Sequence, residues 1–277
     1  MEIIKNKTFD EERALYGSDD VSAVDCRFDG PADGESAFKE SRNIKATNCY
    51  FNLRYPFWHT HSLRITGCEM TENCRAALWY SDNITIRNSR LHGIKALRSC
   101  EKVSIENSSI ISPEFGWFSN DIDIKNTSCE GEYFMLNADG LHLVDVKLTG
   151  KYAFQYVKGC IIADCEFDTK DAFWHAEYII VQNCRIKGEY LAWYSKNVLF
   201  VDCEISGTQP FCYCENVKLI NCTMDGADLA FENSSVEAEI TSPVISIKNP
   251  RSGFIKVPSY DELIITEDTT CEIIEEN

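Results

Sequence analysis

Four stretches of the chain repeat one pattern: KGCIIADCEFD at 158–168, EYIIVQNCRIK at 177–187, KNVLFVDCEIS at 196–206 and ENVKLINCTMD at 215–225. Each stretch begins 19 residues after the one before it, and each carries Asn-Cys or Asp-Cys at the same place. Self-similarity at a fixed short period indicates one supersecondary unit that is stacked on itself. This repeat decides the fold class.

The repeat extends far beyond these stretches when the chain is aligned on the cysteine, which we call position 0. Apolar residues stand at positions −5, −3 and +2 of nearly every coil, with polar residues between them. Alternation with a period of two is typical of a β-strand with one buried face. Position 0 is occupied in turn by Cys26, Cys49, Cys68, Ser89, Ser108, Thr127, Val146, Cys165, Cys184, Cys203 and Cys222.

Two further positions indicate bends in each coil. Position −1 is Asn or Asp in ten of the eleven coils, and glycine recurs at position +4. Asx side chains bond their own backbone and tolerate left-handed conformations, and glycine adopts a positive φ at little cost. A coil this short has no room for a helical crossover. The sequence therefore predicts an all-β fold, a single-stranded right-handed parallel β-helix of about eleven coils of 19 residues.

The repeat runs from residue 21 to residue 235 without a linker, so we expect one domain. Residues 1–20 are expected to form an N-terminal cap, for which the capping-box pair Thr8 and Glu11 suggests a short helix. In residues 236–277 prolines interrupt the repeat. We expect degenerate C-terminal strands and an acidic tail there, as part of the same domain.

The formal net charge of −17 argues against nucleic acid and anionic membrane surfaces as partners, because both are themselves negatively charged. No apolar run approaches the length of a membrane span. The chain begins Met-Glu-Ile-Ile-Lys, without a basic stretch that leads into an apolar segment. We therefore expect a cytoplasmic location.

The fourteen cysteines are interpreted as small buried residues. Seven of them occupy position 0, where Ser, Thr and Val replace them in other coils. A straight column of thiols does not offer a tetrahedral set of ligands, and the pair Cys212 and Cys214 lacks a second pair. We expect no metal ion and no cofactor.

Aromatic residues fill two neighbouring columns, which we call the aromatic stripe. Adjacent strand residues point to opposite faces, so at least one of the two columns is expected to face solvent, and the tryptophan column is favoured. The first column, ten positions before position 0 of the following coil, holds all five tryptophans, Trp58, Trp79, Trp117, Trp174 and Trp193. The second holds His59, Tyr80, Phe118, Tyr156, His175, Tyr194 and Tyr213.

The stripe suggests a function in binding. The favoured hypothesis is a soluble protein that binds an extended ligand, such as a glycan, or a small molecule along the stripe. The first alternative is a structural or assembly protein that forms a homo-oligomer through the stripe. The second is a carbohydrate-active lyase or hydrolase. The predicted ligand-binding residues are the five tryptophans together with Tyr80, Tyr156, Tyr194 and Tyr213.

The sequence favours a protein without enzymatic activity, because it offers no clear pair of carboxylates at the spacing that glycosidases need. Two weak groups of candidates for catalysis stand out. Histidine beside tyrosine or a carboxylate can act as a general base. The first group is His175 with Asp171 and Tyr190, and the second is His59 with Asp82.

Some segments of the chain are far more specific than the repeat. They are FDGPADGES at 28–36, NLRYPFWH at 52–59, CRAALWYS at 74–81, ISPEFGW at 111–117 and KDAFWH at 170–175. Through these segments the chain resembles, over nearly its full length, the bacterial family catalogued as domain of unknown function 3737. The resemblance implies a pectin-lyase-like right-handed β-helix and a soluble bacterial protein, but no reaction, cofactor or catalytic residue. Likeness to pectin lyases in fold confers no activity.

Overall fold

The computed structural model describes residues 1–30, 36–266 and 269–275, so part of the 28–36 segment and the last residues of the acidic tail lie outside it. The protein is an all-β parallel β-solenoid of about 14 turns with a spacing of about 19 residues, and the described residues contain no helix. The predicted fold class is confirmed. The chain divides into two compact units, Met1–His142 and Leu143–Asn277, which we call unit 1 and unit 2.

Unit 1 alternates a longer strand before the bend at position −1 with a shorter strand after it. Each strand pairs in parallel with its equivalents in the neighbouring coils. The strands are β1 (Glu2–Lys5), β2 (Thr8–Phe9), β3 (Val21–Val24), β4 (Arg27–Phe28), β5 (Arg42–Thr47), β6 (Tyr50–Phe51), β7 (His61–Thr66), β8 (Glu69–Met70), β9 (Asp82–Arg87), β10 (Arg90–His92), β11 (Glu101–Glu106), β12 (Ser109–Ile111) and β13 (Asn120–Glu132).

Unit 2 repeats the alternation, and β14 begins just before it. Near its end β23 and β25 form a separate parallel pair. The strands are β14 (Asp139–Lys151), β15 (Lys158–Ala163), β16 (Glu166–Lys170), β17 (Glu177–Gln182), β18 (Arg185–Lys187), β19 (Lys196–Val201), β20 (Glu204–Ser206), β21 (Glu215–Cys222), β22 (Ser235–Ile240), β23 (Val244–Lys248), β24 (Ser252–Val257), β25 (Tyr260–Ile264) and β26 (Glu272–Glu275).

The core consists of the predicted inward positions stacked in register. In unit 2, Ile179 pairs with Val198, and both are buried. Phenylalanine rings add stacked columns inside each unit. Phe28 and Phe51 stack at 4.9 Å in unit 1, and Phe154 and Phe173 stack at 4.8 Å in unit 2. Because each coil places the same residue type above its predecessor, burial is continuous along the unit.

Each coil turns at residues in the left-handed conformation. At position −1 the predicted Asx column is present, with φ of 56° at Asp164 and 52° at Asn183. The side chains also bond from coil to coil, because the Asn183 amide donates to the Asp164 carboxylate at 2.6 Å. Asn and Asp tolerate this conformation better than other L-residues, which explains why they recur at this bend.

The cysteine at position 0 has a second role that the sequence did not reveal. It follows the left-handed residue, and its backbone N–H points towards the side chain of the next coil. The Cys165 N–H donates to the Cys184 sulfur at 3.3 Å, and the Cys68 N–H donates to the Ser89 hydroxyl at 3.1 Å. Cys, Ser and Thr therefore recur here because each is small and carries an acceptor atom.

The helix expected in residues 1–20 is absent, and this prediction was wrong. Residues 1–20 form a further coil, in which Glu2 pairs with Val21 and Thr8 pairs with Arg27. Phe9 stacks on Phe28 at 4.9 Å, so it continues the phenylalanine column instead of forming one face of a helix. This parallel pairing satisfies the backbone N–H and C=O groups at the edge of the stack and buries Ile4. An isolated short helix would achieve neither.

The predicted number of coils, eleven, was too small by about three. One extra coil is the N-terminal coil formed by β1 and β2. The others follow residue 233, where the prolines interrupt the sequence repeat but the parallel pairing continues. Val236 pairs with both Val217 and Gly253, and Ile255 pairs with Ile273.

A substitution pair tests the role of position 0. Replacing Cys184 with alanine removes the acceptor of the buried Cys165 N–H, and we expect the free energy of unfolding to fall by about 1–3 kcal/mol. Replacing Cys184 with serine keeps an acceptor and should cost clearly less. Urea denaturation followed by circular dichroism measures both. Equal losses for the two variants would contradict the role of the sulfur as an acceptor.

Candidate functional site

Both columns of the aromatic stripe face outwards, although to different degrees. The tryptophans are half-buried, whereas Tyr80, Tyr156 and Tyr194 are 46%, 49% and 41% exposed. The expectation that neighbours point to opposite faces does not apply, because the second column is left-handed, with φ of 57° at Tyr156 and 61° at Tyr194. The stripe thus lies in a turn and not in a strand.

The indole N–H groups of the stripe are used within the protein. The Trp79 indole donates to the Lys95 carbonyl at 2.6 Å, and the Trp174 indole donates to the Tyr190 carbonyl at 2.8 Å. Trp117 and Trp193 make the equivalent bond, always to the residue 16 positions later. These bonds tie each coil to the next, so these four indoles have no N–H left for a ligand.

The ring faces of the stripe are also largely occupied. In unit 1 the Arg98 guanidinium lies 5.0 Å from the Trp79 ring and 5.3 Å from the Trp117 ring, an interleaved cation–π arrangement. In unit 2 Trp174 and Trp193 stack at 5.4 Å with an angle of 6°. What the stripe presents to solvent is therefore ring edges and the exposed rings of its second column.

The second column of unit 2 is a continuous stack that contains His175. Its ring lies 4.8 Å from Tyr156 and 5.0 Å from Tyr194, nearly parallel to both. Tyr194 in turn stacks on Tyr213 at 5.1 Å. A ligand could contact the inner rings of this stack, His175 and Tyr194, only at their edges. Ligand binding by the stripe stays a prediction, and stacking of sugar rings on its faces is the form of it that this geometry disfavours.

The first group of catalytic candidates does not form one cluster. Asp171 is 5% exposed, and its backbone N–H bonds the carbonyl of Glu189. Tyr190 has its ring beside Trp193 and the Lys170 ammonium. His175 contacts the stacked tyrosines. No hydrogen bond or ring contact within the described residues joins the three candidates.

Burial raises the pKa of the Asp171 carboxyl above its usual range, while the Lys170 ammonium lowers the pKa and the Glu189 carboxylate raises it further. The folded protein therefore holds this proton more tightly than the unfolded chain does. Because the unfolded chain loses it first, the contribution of Asp171 to stability falls as the pH rises past the ordinary aspartate value of about 3.9.

Replacing Asp171 with asparagine should therefore raise the free energy of unfolding at neutral pH, because no charge is then buried. The gain over the wild type should shrink as the pH falls towards about 4. Thermal denaturation across this range measures it. Replacement of the exposed Asp168 with asparagine is the control, and a loss of stability at neutral pH in the Asp171 variant would refute the assignment.

The second group of candidates is paired differently from the prediction. Asp82 accepts from His61, not from His59, with a distance of 2.5 Å between its carboxylate and Nδ1 of the ring. His59 pairs with Glu40 at 2.5 Å, and the two histidine rings lie 4.9 Å apart, edge to face. Two histidine–carboxylate pairs thus lie side by side in unit 1. A carboxylate that holds Nδ1 orients the ring for proton transfer at Nε2.

A polar groove with a volume of about 920 Å³ lies on unit 1. Two columns border it, the left-handed residues at position −6 and the outward residues at position −4, and the strand backbone forms its floor. It crosses six coils, about 24 Å at the usual strand spacing. Its polar lining residues are Asp20, Asn43, Lys45, Ser62, Arg64, Asn83, Thr85, Lys102, Ser104, Asp121 and Asp123.

Positive charge lies in the middle of the polar groove and acidic residues lie at its two ends. Lys45 and Arg64 belong to adjacent coils and pair in register. Neither forms an ion pair within the residues described. In a chain of net charge −17 these are local cations available to a ligand.

The sequence reasoning missed the polar groove because position −6 was not singled out. A signal exists: this position is Asp, Asn, Ser, Lys or Gly in nearly every coil, as is usual for left-handed residues. The left-handed bend places these side chains on the outer surface, next to the strand backbone. The groove therefore arises from backbone geometry that strand alternation alone does not predict.

A smaller cavity of about 410 Å³ lies beside the groove and is lined by Arg42, Asn43, His61, Ser62, Asp82 and Asn83. It shares Asn43, Ser62 and Asn83 with the polar groove. The His61–Asp82 pair thus opens onto the same surface as the groove. Within the described parts of the chain, no three His, Cys, Asp or Glu side chains converge to hold a metal ion.

None of the described residues forms a helix with the length and apolar character needed to cross a membrane. The model of the family described as "Protein of unknown function (DUF3737)" matches residues 2–274. Among curated proteins, none matches the chain.

Solved structures match the chain only in general architecture. PfbA, a surface protein and adhesin of Streptococcus pneumoniae, shares 10% identity at a TM-score of 0.39 and covers 94% of this chain and 92% of its own. HetL, a pentapeptide repeat protein of the cyanobacterium Nostoc, shares 15% identity at a TM-score of 0.26 and covers 83% and 86%. QnrB1, a plasmid-mediated fluoroquinolone resistance protein, shares 10% identity at a TM-score of 0.23 and covers 79% and 91%. These values carry no argument about function.

Proposed function

The chain belongs to the DUF3737 family, and from the geometry of unit 1 we propose that it binds an extended glycan that carries acidic groups. The site is the polar groove. The observation that carries the proposal is the pair of cations Lys45 and Arg64 in an elongated cleft, next to the amide and hydroxyl groups of Asn43, Ser62 and Asn83.

The shape of the groove supports an extended ligand and not a compact one. It is open along its length, and its lining residues repeat from coil to coil. Asn43, Ser62 and Asn83 present donors and acceptors at regular intervals of one strand spacing. A chain of sugar rings offers hydroxyl groups with a similar regularity, and each can bond a different coil.

The charges support an acidic glycan over a neutral one. The net charge of the chain repels polyanions at long range, so recognition depends on local cations that the ligand reaches in the groove. The Arg64 guanidinium suits a carboxylate or a sulfate, because its donors match two oxygens at once. The acidic residues Asp121 and Asp123 at one end would limit how far such a chain extends.

A cytoplasmic location remains part of the proposal. All fourteen cysteines are free thiols, and thirteen of them are buried. Free thiols are typical of a reducing compartment.

Calorimetric titration with matched neutral and acidic oligosaccharides tests the proposal. We expect heat with an acidic chain, and replacement of Arg64 with alanine should weaken its binding about tenfold or more, because a hydrogen bond between charged groups is lost. Replacement of Arg185, an exposed arginine in unit 2, is the control and should leave the affinity unchanged.

Two outcomes would contradict the groove as the site. No heat with any acidic oligosaccharide at about 1 mM would count against glycan binding altogether. Loss of binding in a Tyr80→Phe variant together with full binding in the Arg64→Ala variant would place the ligand on the aromatic stripe.

A second candidate function is glycan cleavage, favoured by the His61–Asp82 pair beside the groove. As a general base, His61 would take the proton from the carbon beside a carboxylate of the bound chain, with Asp82 holding the ring. The electron pair left behind would form a C=C bond as the neighbouring glycosidic C–O bond breaks, and water would protonate the released oxygen. Prolonged incubation with the oligosaccharide that binds, followed by an assay for new chain ends, tests it. Product that persists in a His61→Gln variant would exclude this histidine.

A further inference from the structure

Two histidines of unit 1 lie side by side on the outside of one coil. His59 and His61 flank Thr60, whose side chain is fully buried and donates to the Phe38 carbonyl at 2.8 Å. The two histidine side chains are 44% and 33% exposed, and their ring centres lie 4.9 Å apart. No other coil carries histidine at both of these positions. The stack itself therefore does not require the pair.

Each ring is held at Nδ1 by a carboxylate from a different neighbouring coil. Glu40, in the coil before, lies 2.5 Å from Nδ1 of His59, and Asp82, in the coil after, lies 2.5 Å from Nδ1 of His61. The Asn83 amide donates to the other oxygen of Asp82 at 2.7 Å. Nδ1 and Nε2 lie on opposite sides of an imidazole ring. Because the two Nδ1 atoms are drawn apart along the stack, the two Nε2 atoms face the space between the rings.

This arrangement of the rings is the one that metal-binding histidines have. A carboxylate at Nδ1 fixes the proton there, orients the ring and makes Nε2 a better ligand. No hydrogen bond within the described residues uses Nε2 of His59 or of His61. Neutral imidazole is a ligand that suits zinc, copper, nickel and iron. The two Nε2 atoms are therefore available to one ion of this class.

The separation of the rings fits a shared ion. Zinc bonds a histidine nitrogen at about 2.0–2.1 Å, which places each ring centre about 3.2 Å from the ion. With an angle of about 100–110° between two ligands of a tetrahedral site, the ring centres are about 5 Å apart. The observed separation of 4.9 Å agrees with this value.

We propose that Nε2 of His59 and Nε2 of His61 together bind a zinc ion, with water in its two remaining positions. Glu40 and Asp82 balance the charge of the ion, and Arg42, which borders the same small cavity as His61, opposes it. Two protein ligands are fewer than most zinc sites have, so the affinity is moderate. The ion occupies the nitrogen that general-base action by His61 would need, so the zinc form does not cleave a glycan by that route.

The sequence predicted no metal ion because its cysteines offer no tetrahedral set of ligands. The histidine pair is recognisable as a metal site only when the coils before and after it are in place, since these coils supply Glu40 and Asp82. Neither carboxylate is close to its histidine in the sequence.

Calorimetric titration of the untagged protein with zinc chloride tests the proposal, with excess magnesium present to occupy sites that have only oxygen ligands. We expect one zinc ion with a dissociation constant of about 1–10 µM. His59→Gln and His61→Gln should each weaken this binding by about tenfold or more, because one nitrogen ligand is lost. His142→Gln is the matched control and should bind like the wild type. His142 also has a carboxylate near Nδ1, that of Asp123, but it has no ring contact with another histidine within the described residues.

Cobalt(II) in place of zinc reports the geometry of the site, because tetrahedral cobalt absorbs visible light far more strongly than octahedral cobalt. We expect strong bands in the wild type and their loss in His61→Gln. The positioning role of Glu40 is tested by Glu40→Gln, which should weaken zinc binding about tenfold and keep the cobalt bands. Circular dichroism confirms that all variants are folded.

Four results would overturn the proposal. They are no zinc binding at about 200 µM, zinc binding that His61→Gln leaves intact, an equal loss of binding in His142→Gln, and weak cobalt bands in the wild type. Unchanged zinc binding in Glu40→Gln would overturn the role of this carboxylate.

Discussion

The interaction on which the structure depends is the hydrogen bond from the residue after a left-handed corner to a side chain of the next coil. At position 0 it is made by the N–H of Cys49, Cys68, Ser89, Ser108, Val146 and Cys165. A left-handed residue turns the chain sharply and leaves the next N–H without a backbone partner in a buried place. An unsatisfied buried donor costs about 1–3 kcal/mol, and the cost would recur in every coil. Side-chain acceptors one coil away remove it, as Cys184 does for Cys165 and as Ser89 does for Cys68. The columns of Cys, Ser and Thr are a consequence of this requirement.

The same left-handed corners also form the two surfaces described above, the aromatic stripe and the polar groove. In the aromatic stripe, the residue of the second column precedes the acceptor residue and is left-handed, so its side chain points outwards. Two neighbouring aromatic columns are therefore exposed to solvent, whereas a regular strand would expose only one of them. At position −6 the same conformation lifts polar side chains beside the strands of unit 1 and borders the polar groove. The aromatic stripe then uses its own ring faces and indole N–H groups to hold coils together. In the groove, by contrast, Lys45 and Arg64 form no ion pair within the described residues.

The outward residues vary most freely, and this is where the two units differ. Stacking fixes what lies inside and at the corners, but it places no demand on position −4. In unit 1 polar residues such as Lys45 and Arg64 occupy this position, whereas in unit 2 Ile161, Ile180 and Leu199 occupy it before Lys218. Differences that the core does not impose are informative about binding, since packing cannot explain them.

The sequence by itself determined the parallel β-solenoid, the inward positions and the Asx bend, because a repeat of 19 residues and alternation along strands are local properties. It did not show the N-terminal coil. Asn6 and Phe9 are recognised as members of the Asx column and the phenylalanine column only when β1 is paired with the strand that begins at Val21. The sequence also did not show that His61 pairs with Asp82, that the ring faces of the tryptophans are occupied within the protein, or that a polar groove is present. Only the tertiary structure decided these, because each depends on a left-handed bend that brings residues about 19 positions apart into contact, and strand alternation carries no information about such a bend.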